Sequence, residues 1–180
     1  MTTKITVKQL CFCGIFVALI AVCSWISVPT TVPFTLQTFA IFLAVGLLGG
    51  KLGTIAVTVY VLLGAVGVPV FKGFKGGPAV IFGTTGGYIV GFIISALVMW
   101  LIQSLFGTKL VVLIISMLAG LLVCYAFGTA WFMIAYAKKT GAIGLGSVLG
   151  WCVLPFILPD LIKIACVAVL TSRLKKHISF

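Results

Sequence analysis

The chain contains a single acidic side chain, Asp160, against 12 lysines and arginines. Asp160 lies in an apolar stretch, and Lys163 follows it three residues later. Residues at i and i+3 of a helix share one face, so this spacing predicts that the carboxylate and the ammonium lie side by side. Pro159 is expected to begin the helix, because a proline at the first helical position removes an N–H group that lacks a partner there anyway. Asp160 would then lie in the first turn, where the helix dipole favours a negative charge.

An ionised pair inside an apolar segment indicates a binding function. A charged side chain at the centre of a membrane segment costs at least about 2.5–3.5 kcal/mol, and such residues usually face a cavity or a partner. Buried ion pairs are weak stabilisers, since apolar residues of similar size often serve as well. We therefore interpret Asp160 and Lys163 as ligand-binding residues. The alternative is a self-neutralising pair that merely holds two helices together.

The residues needed for catalysis are missing from the sequence. His177 is the single histidine and lies in the terminal tail, which leaves no acid–base pair, metal cluster or catalytic triad. The stretch from Gly46 to Lys51 looks like a phosphate-binding loop. It has three residues instead of four between its glycines, however, and Leu52 stands where serine or threonine belongs. The sequence predicts no ATP hydrolysis, no enzymatic activity, and no metal or cofactor.

The composition predicts that the solvent around this chain is lipid. Of the 180 residues, 63% are hydrophobic and 7% are charged, and the mean hydropathy is +1.40. A chain this short has too much surface to hide so many apolar side chains from water. The basic residues, which give a net charge of +11, are scattered between long apolar runs. That pattern is typical of a multi-pass membrane protein with its charges at lipid headgroups, and we expect no nucleic-acid partner.

Charges, prolines and glycines divide the chain into six predicted transmembrane helices within one membrane domain, residues 1–180. The helices are expected at about 9–27, 36–50, 53–70, 84–106, 109–137 and 159–174, with a short apolar segment at 144–154. An even number of crossings places both termini on one side of the membrane. Seven basic residues fall on that side and four on the other, so the positive-inside rule predicts cytoplasmic termini. The predicted fold class is therefore an all-α integral membrane protein.

Polar and glycine-rich stretches are expected on the outer side, together with Asp160. One opens the second helix and contains Thr35 and Gln37, and another opens the fourth helix. The second stretch consists of Gly83, Thr84, Thr85, Gly86 and Tyr88. Glutamine offers both a donor and an acceptor, and a glycine-rich backbone lets a ligand approach main-chain groups, so the convergence predicts a pocket for a small polar solute. Alternatively, the threonines cap the helix and the tyrosine is an aromatic anchor at the membrane interface.

Small residues recur at four-residue spacing in two places. Gly14 and Ala18 share a face of the first helix, and Gly83, Gly87 and Gly91 share a face where the fourth begins. Helices associate in lipid through close van der Waals approach, so such faces mark helix–helix contacts. The contact is either packing within the chain or docking of another membrane subunit, for which the face of Gly14 and Ala18 is the candidate.

Four stretches of the chain resemble BioY-type biotin transporters, the substrate-binding S components of energy-coupling factor (ECF) transporters. They read TVPFTLQTFAIFLAVGLLGGKLG, VYVLLGAVGVPVF, GTTGGYIVGF and LPFILPDLIK, in the order found in the family. The resemblance implies a six-helix S-component bundle in a prokaryotic cell membrane, with biotin captured near the outer face. It further implies a complex with a transmembrane coupling protein and two ATPase subunits.

The resemblance also suggests roles for individual residues. Asp160 could accept from the ureido N–H groups of biotin while Lys163 donates to the ureido carbonyl, or Lys163 could neutralise the valerate carboxylate. Phe34 and Tyr88 would line the apolar part of the ligand. A loop that contains Phe71, Gly73, Phe74 and Gly76 would close over the site together with residues 28–35.

Two other functions remain open from the sequence. A solitary secondary transporter of a small polar vitamin would need an ion-coupling carboxylate, and Asp160 is the candidate for it. A non-catalytic membrane scaffold would use Asp160 and Lys163 for packing alone.

Overall fold

A computed structural model of the chain describes residues 6–28, 34–141 and 144–176. Its helices are α1 (Val7–Trp25), α2 (Gln37–Leu48), α3 (Gly50–Ala65), α4 (Pro78–Ile81), α5 (Gly86–Phe106), α6 (Leu110–Thr140), α7 (Leu145–Cys152) and α8 (Leu154–Leu174). Two short strands, β1 (Ser27–Val28) and β2 (Phe34–Thr35), pair antiparallel. This strand pair was not predicted from the sequence, but the mainly helical fold class is confirmed.

Among the described residues, four helical segments are long and apolar enough to cross a membrane: α1, α5, α6, and α7 together with α8. The helices α2 and α3 are also apolar but shorter, with 12 and 16 residues. A helix rises about 1.5 Å per residue, so α2 spans about 18 Å of a hydrocarbon core that is about 30 Å thick. Ten of its twelve residues are buried, because α1, α3, α5 and α8 surround it. Protein therefore shields this short helix from the lipid.

Close approach of α2 and α3 depends on the glycines at their junction. Gly49 ends α2 with a φ of 81°, a left-handed conformation that side chains disfavour. A Cβ on Gly53 would lie 2.5 Å from the Cα of Val45, so the two backbones touch directly. This sharp reversal keeps the short α2 inside the bundle.

The two small-residue faces have different surroundings. A Cβ on Gly87 would lie 2.2 Å from the Trp131 side chain, and one on Gly91 would lie 3.2 Å from Cys124 Sγ. Both glycines therefore allow α6 to pack closely against α5. Gly14 and Ala18 are exposed, and a Cβ on Gly14 meets no atom of the described chain within 4 Å. Packing within the chain is therefore confirmed for Gly87 and Gly91. It is the wrong interpretation for Gly14.

The prediction that Pro159 begins the last helix is wrong. Helix α8 begins at Leu154, with Pro155 in its first turn, and Pro159 lies inside it. Asp160 consequently lies in the second turn, beyond the free N–H groups of the helix start. The i+3 pairing of Asp160 and Lys163 survives, since both remain in one continuous helix.

Other predicted boundaries also shift. The third predicted helix, 53–70, ends at Ala65, and residues 66–77 form the α3–α4 loop. The apolar segment at 144–154 contains the separate helix α7, which turns into α8 at Val153. Residues 66–77 and the start of α8 lie at the same end of the bundle as the strand pair.

Candidate functional site

A cavity of about 610 Å³ opens at this end of the bundle. Ligand pockets typically measure about 300–1,000 Å³, so its size suits a small molecule. The sequence-predicted residues that line it are Phe34, Thr35, Gln37, Phe71, Gly73, Gly83, Thr84, Thr85, Tyr88, Asp160 and Lys163. The structure therefore brings together predicted residues from four elements and two loops.

Asp160 and Lys163 form a buried ion pair in the wall of the cavity. Lys163 Nζ donates to Asp160 Oδ1 at 2.8 Å, and the two side chains are 4% and 7% exposed. Lys163 Nζ also donates to Thr38 Oγ1 at 2.9 Å and to the carbonyl oxygen of Thr35 at 2.7 Å. The ammonium lies 4.1 Å from the centre of the Phe34 ring, within range of a cation–π interaction.

The carboxylate of Asp160 accepts three hydrogen bonds from the described residues. Oδ1 receives Lys163 and the Thr38 hydroxyl at 3.1 Å, and Oδ2 receives the Tyr125 hydroxyl at 2.5 Å. A carboxylate has about four lone-pair sites, whereas an ammonium has three N–H donors. The three donors of Lys163 already have acceptors. Asp160 keeps room for one more donor, on Oδ2.

Tyr125 is a functional-site residue that was not predicted from the sequence, and Thr38 belongs to the polar stretch at the start of α2 but was not singled out as a site residue. Thr38 lies 122 residues from Asp160 in the chain, and Tyr125 lies 35 residues from it. Tyr125 is one aromatic residue in the long apolar helix α6, where tyrosine gives no local sign of a binding role. The available signal was weak: Thr38 follows Gln37 in the polar start of α2.

Gln37 lines the cavity but is also tied to a second buried network. Its Nε2 donates to the Tyr60 hydroxyl at 2.9 Å, and that hydroxyl donates to the carbonyl oxygen of Val70 at 3.0 Å. The Ser24 hydroxyl lies 2.6 Å from the same carbonyl oxygen. Gln37 thereby helps to hold the α3–α4 loop over the cavity.

The α3–α4 loop places some predicted residues on the cavity and turns others away. Phe71 and Gly73 line it, whereas Phe74 packs against Trp25, with ring centres 4.6 Å apart. Gly76 is closely packed, since a Cβ there would lie 2.3 Å from the carbonyl oxygen of Val68. Phe74 and Gly76 therefore shape the loop without reaching the cavity.

Two lysines of the same loop line the cavity and were not predicted as site residues. They are Lys72, which is half-buried, and Lys75, which is exposed. Burial, and to a lesser extent the like charge of Lys75, lowers the pKa of the Lys72 ammonium below its ordinary value. An anion bound between them would offset the repulsion. The loop side of the cavity is thus suited to a negative group.

The glycine-rich stretch before α5 also lines the cavity. Gly83, Thr84 and Thr85 border it, and Thr85 makes no side-chain capping bond at the start of α5. The capping interpretation of Thr85 is therefore wrong. Gly86 lies behind the wall, where a Cβ would collide with the carbonyl oxygen of Ile81.

Aromatic side chains supply the apolar walls. Phe34 stacks on Phe156 with ring centres 6.1 Å apart. The Tyr88 hydroxyl lies 3.1 Å from Thr129 Oγ1, inside the bundle, so Tyr88 is a cavity residue and not an anchor at the membrane interface. The cavity thus combines one open carboxylate acceptor, two cations on a loop and apolar walls.

The whole chain, residues 1–180, matches the BioY family. The chain belongs to the BioY family. The biotin transporter BioY of Thermotoga maritima is 46% identical over 173 residues, covering 94% of this chain and 96% of that protein. The probable biotin transporter BioY of Pyrococcus horikoshii is 41% identical over 169 residues, covering 93% and 96% respectively.

A solved structure agrees with these BioY relatives. The crystal structure of the S-component for biotin from an ECF-type ABC transporter superposes with a TM-score of 0.87 at 28% sequence identity. The match covers 100% of this chain and 97% of that one. The family resemblance inferred from the four sequence stretches is confirmed. BioY relatives are transporters, so the chain is a transporter component and not an enzyme.

Proposed function

We propose that this protein captures biotin in the 610 Å³ cavity and is the substrate-specific subunit of an ATP-driven ECF transporter. The observation that carries the proposal is the Asp160 carboxylate, which three neighbouring donors orient and which keeps one acceptor site open to the cavity. Biotin has two ureido N–H groups, an apolar bicycle and a carboxylate-bearing chain. Each of these groups has a matching partner in the cavity wall.

The contacts favour one orientation of biotin. Asp160 accepts a ureido N–H of biotin on Oδ2. Lys163 holds the Asp160 carboxylate in place and does not contact biotin, because all three donors of Lys163 are already bonded within the protein. The ligand's carboxylate lies on the loop side, near Lys72 and Lys75, away from the negative charge of Asp160. This orientation departs from the alternatives in which Lys163 contacts the ligand directly.

Capture of biotin includes closure of the α3–α4 loop. Phe71, a residue of this loop, is 2% exposed, and its ring packs against the Tyr60 ring with centres 5.7 Å apart. Trp25 holds the outside of the loop through Phe74 and through a hydrogen bond from Nε1 to the carbonyl oxygen of Pro69 at 3.2 Å. Exclusion of water by the closed loop strengthens the hydrogen bonds to Asp160.

Transport requires partners because the chain has no phosphate-binding loop of its own. A transmembrane coupling protein docks on the exposed face of Gly14 and Ala18, where small side chains permit close helix approach. Two ATPase subunits drive the cycle. The protein resides in the prokaryotic cell membrane with cytoplasmic termini, which places the cavity toward the outside.

Uptake by proteoliposomes tests the transport role. The purified protein alone should bind biotin without accumulating it, and co-reconstitution with an ECF coupling protein, its ATPases and ATP should produce accumulation. Gradient-driven accumulation by the protein alone would instead support a solitary secondary transporter. Absence of any biotin binding by the folded protein would support the scaffold function.

A comparison of biotin with its neutral amide tests the orientation. The double variant Lys72→Gln/Lys75→Gln should bind biotin more weakly than the wild type but bind biotin amide equally well, since the amide lacks the negative charge. Asp160→Asn should weaken the binding of both ligands. If the lysine variant weakened both equally, or neither, the carboxylate would lie elsewhere.

A further inference from the structure

The tip of the α3–α4 loop is a tight turn, residues 71–75. Phe71 and Lys75 close the turn through two backbone hydrogen bonds, of 2.9 and 3.3 Å. Inside it, two successive residues, Gly73 and Phe74, have positive φ angles of 68° and 57°. Glycine adopts this left-handed backbone freely, whereas a bulky side chain is strained there. Among the residues that the structure describes, Phe74 is the one non-glycine residue with a positive φ.

The base of the loop is held by contacts that do not involve the strained residue. The carbonyl oxygen of Val70 accepts a hydrogen bond from the Tyr60 hydroxyl at 3.0 Å, and the Ser24 hydroxyl lies 2.6 Å from it. Beyond the turn, the N–H group of Gly77 donates to the carbonyl oxygen of Gly64 at 2.7 Å. Both ends of the turn are therefore attached to the bundle, and only the conformation of its tip needs a further contact.

The Phe74 ring supplies that contact. It packs on the Trp25 ring of α1, with ring centres 4.6 Å apart and planes inclined by 30°. Phe74 is otherwise 66% exposed, so burial in the core does not explain a phenylalanine at this position. Trp25 is itself fixed, since its Nε1 donates to the carbonyl oxygen of Pro69. A strained backbone persists only where neighbouring contacts hold it, and an aromatic pair is such a contact.

The strained turn places two like charges at the cavity. Lys72 and Lys75 flank Gly73 and Phe74 in the chain, and both line the cavity, whereas Phe74 does not. Burial and the charge of Lys75 lower the pKa of the Lys72 ammonium, which shows that this placement is unfavourable before an anion binds. The contact between Phe74 and Trp25 opposes the tendency of the two lysines to move apart into water.

We propose that Phe74 is a positioning residue, which holds Lys72 and Lys75 at the cavity by stacking on Trp25 and thereby makes the site select ligands that carry a carboxylate. This inference rests on the proposed function, in which the carboxylate of biotin lies on the loop side. Loss of the aromatic contact lets the turn relax and carries the ammonium groups away from the cavity. The Asp160 acceptor and the apolar walls stay in place.

The test compares the dissociation constants of biotin and biotin amide, measured by isothermal titration with the detergent-purified full chain. The wild type should bind biotin about 5- to 30-fold more tightly than the amide, since two partly exposed cations contribute modestly. Phe74→Ala should lose most of this preference through weaker binding of biotin, with amide binding unchanged. Phe74→Tyr keeps the ring and should keep the preference. The matched control is Phe82→Ala, which changes a similarly exposed phenylalanine outside the cavity lining and should also keep it.

The variant Phe74→Gly separates the ring from the backbone. Glycine adopts a positive φ without strain, so this variant should unfold at a temperature at least as high as that of Phe74→Ala. It should lose the preference for biotin all the same, because it lacks the ring. A preference retained by Phe74→Gly, or equal weakening of both ligands by Phe74→Ala, would overturn this inference and leave the proposed function standing. A folded wild type that bound neither ligand would overturn both.

Discussion

Asp160 is stabilised in a lipid-buried helix by its neighbours and not by the position of the helix start. Lys163 provides the opposite charge, and Thr38 and Tyr125 provide hydroxyl donors from α2 and α6. Desolvation of two charges is costly, so such a network stabilises the fold only while every member is present. In the proposed function, this network orients the Asp160 carboxylate as an acceptor for the ligand.

Substitutions in the ion pair distinguish its contribution to stability from its contribution to biotin binding. Asp160→Asn and Lys163→Met should each lower the free energy of unfolding by about 3–5 kcal/mol, because each leaves an unpaired buried partner. The double variant Asp160→Asn/Lys163→Met should recover most of this loss. Denaturant titration in detergent measures these differences.

Biotin affinity should follow a different pattern from stability. Loss of a hydrogen bond to a charged group costs about 1.5–3 kcal/mol, so Asp160→Asn should weaken biotin binding by about 10- to 150-fold. The double variant should remain as weak, despite its recovered stability. A double variant with wild-type affinity would show that the carboxylate does not contact biotin.

At the scale of elements, α1 connects the loop over the cavity with the face proposed for docking. The end of α1 holds the α3–α4 loop through Ser24 and Trp25, while Gly14 and Ala18 remain exposed on the same helix. The α5–α6 pair forms the opposite wall, closely packed at Gly87. These contacts predict three distinct effects of substitution.

Trp25→Ala should accelerate the release of biotin. It removes an aromatic contact and a hydrogen bond, worth together about 1–3 kcal/mol, so the dissociation rate should rise by about 5- to 150-fold. Stopped-flow chase of labelled biotin measures the rate. Trp100→Ala is the matched control, because Trp100 packs at Gly50 near the start of α3. Equal rates in the two variants would mean that the loop does not retain the ligand.

Alanine substitutions at two helix glycines should change stability in opposite directions. Gly87→Ala forces a Cβ against Trp131 and should lower the free energy of unfolding by about 1–3 kcal/mol. Gly14→Ala meets no described atom within 4 Å and should raise it by about 0.5–1 kcal/mol, as alanine favours the helix. Denaturation in detergent distinguishes the two, and a loss at Gly14 would contradict the exposed position of this residue.

Gly14→Leu should leave biotin binding intact but abolish ATP-driven uptake. A large side chain on this face prevents close approach of a partner helix, whereas none of the described residues that line the cavity belongs to α1. Co-purification with the coupling protein and uptake by proteoliposomes should both fall. Unchanged uptake would place the docking surface elsewhere.

At the scale of the whole molecule, the distribution of charge and polarity could be predicted from the sequence to a large extent. Long apolar runs and their breakers indicated the helical membrane fold, and the rarity of charge singled out Asp160 and Lys163. These signals depend on composition and short-range spacing. They needed no knowledge of how the helices pack.

The rest depended on contacts between distant segments. Tyr125 and Thr38 meet Asp160 because α2, α6 and α8 converge, and no local pattern encodes that convergence. Pro159 was misplaced because the helix-start rule applied equally well to Pro155, and the apolar run before Pro159 continues the helix. Lys72 and Lys75 were interpreted as membrane-surface charges, because no local pattern shows that the fold of the α3–α4 loop brings them to the cavity.

The central claim is that the cavity of this protein binds biotin through Asp160. Isothermal titration of biotin into the purified protein tests it most directly. We predict a saturable heat with one biotin per chain, and a strongly weakened one for Asp160→Asn/Lys163→Met, whose fold is retained. A folded wild-type protein that gave no heat and no thermal stabilisation with biotin would contradict the claim.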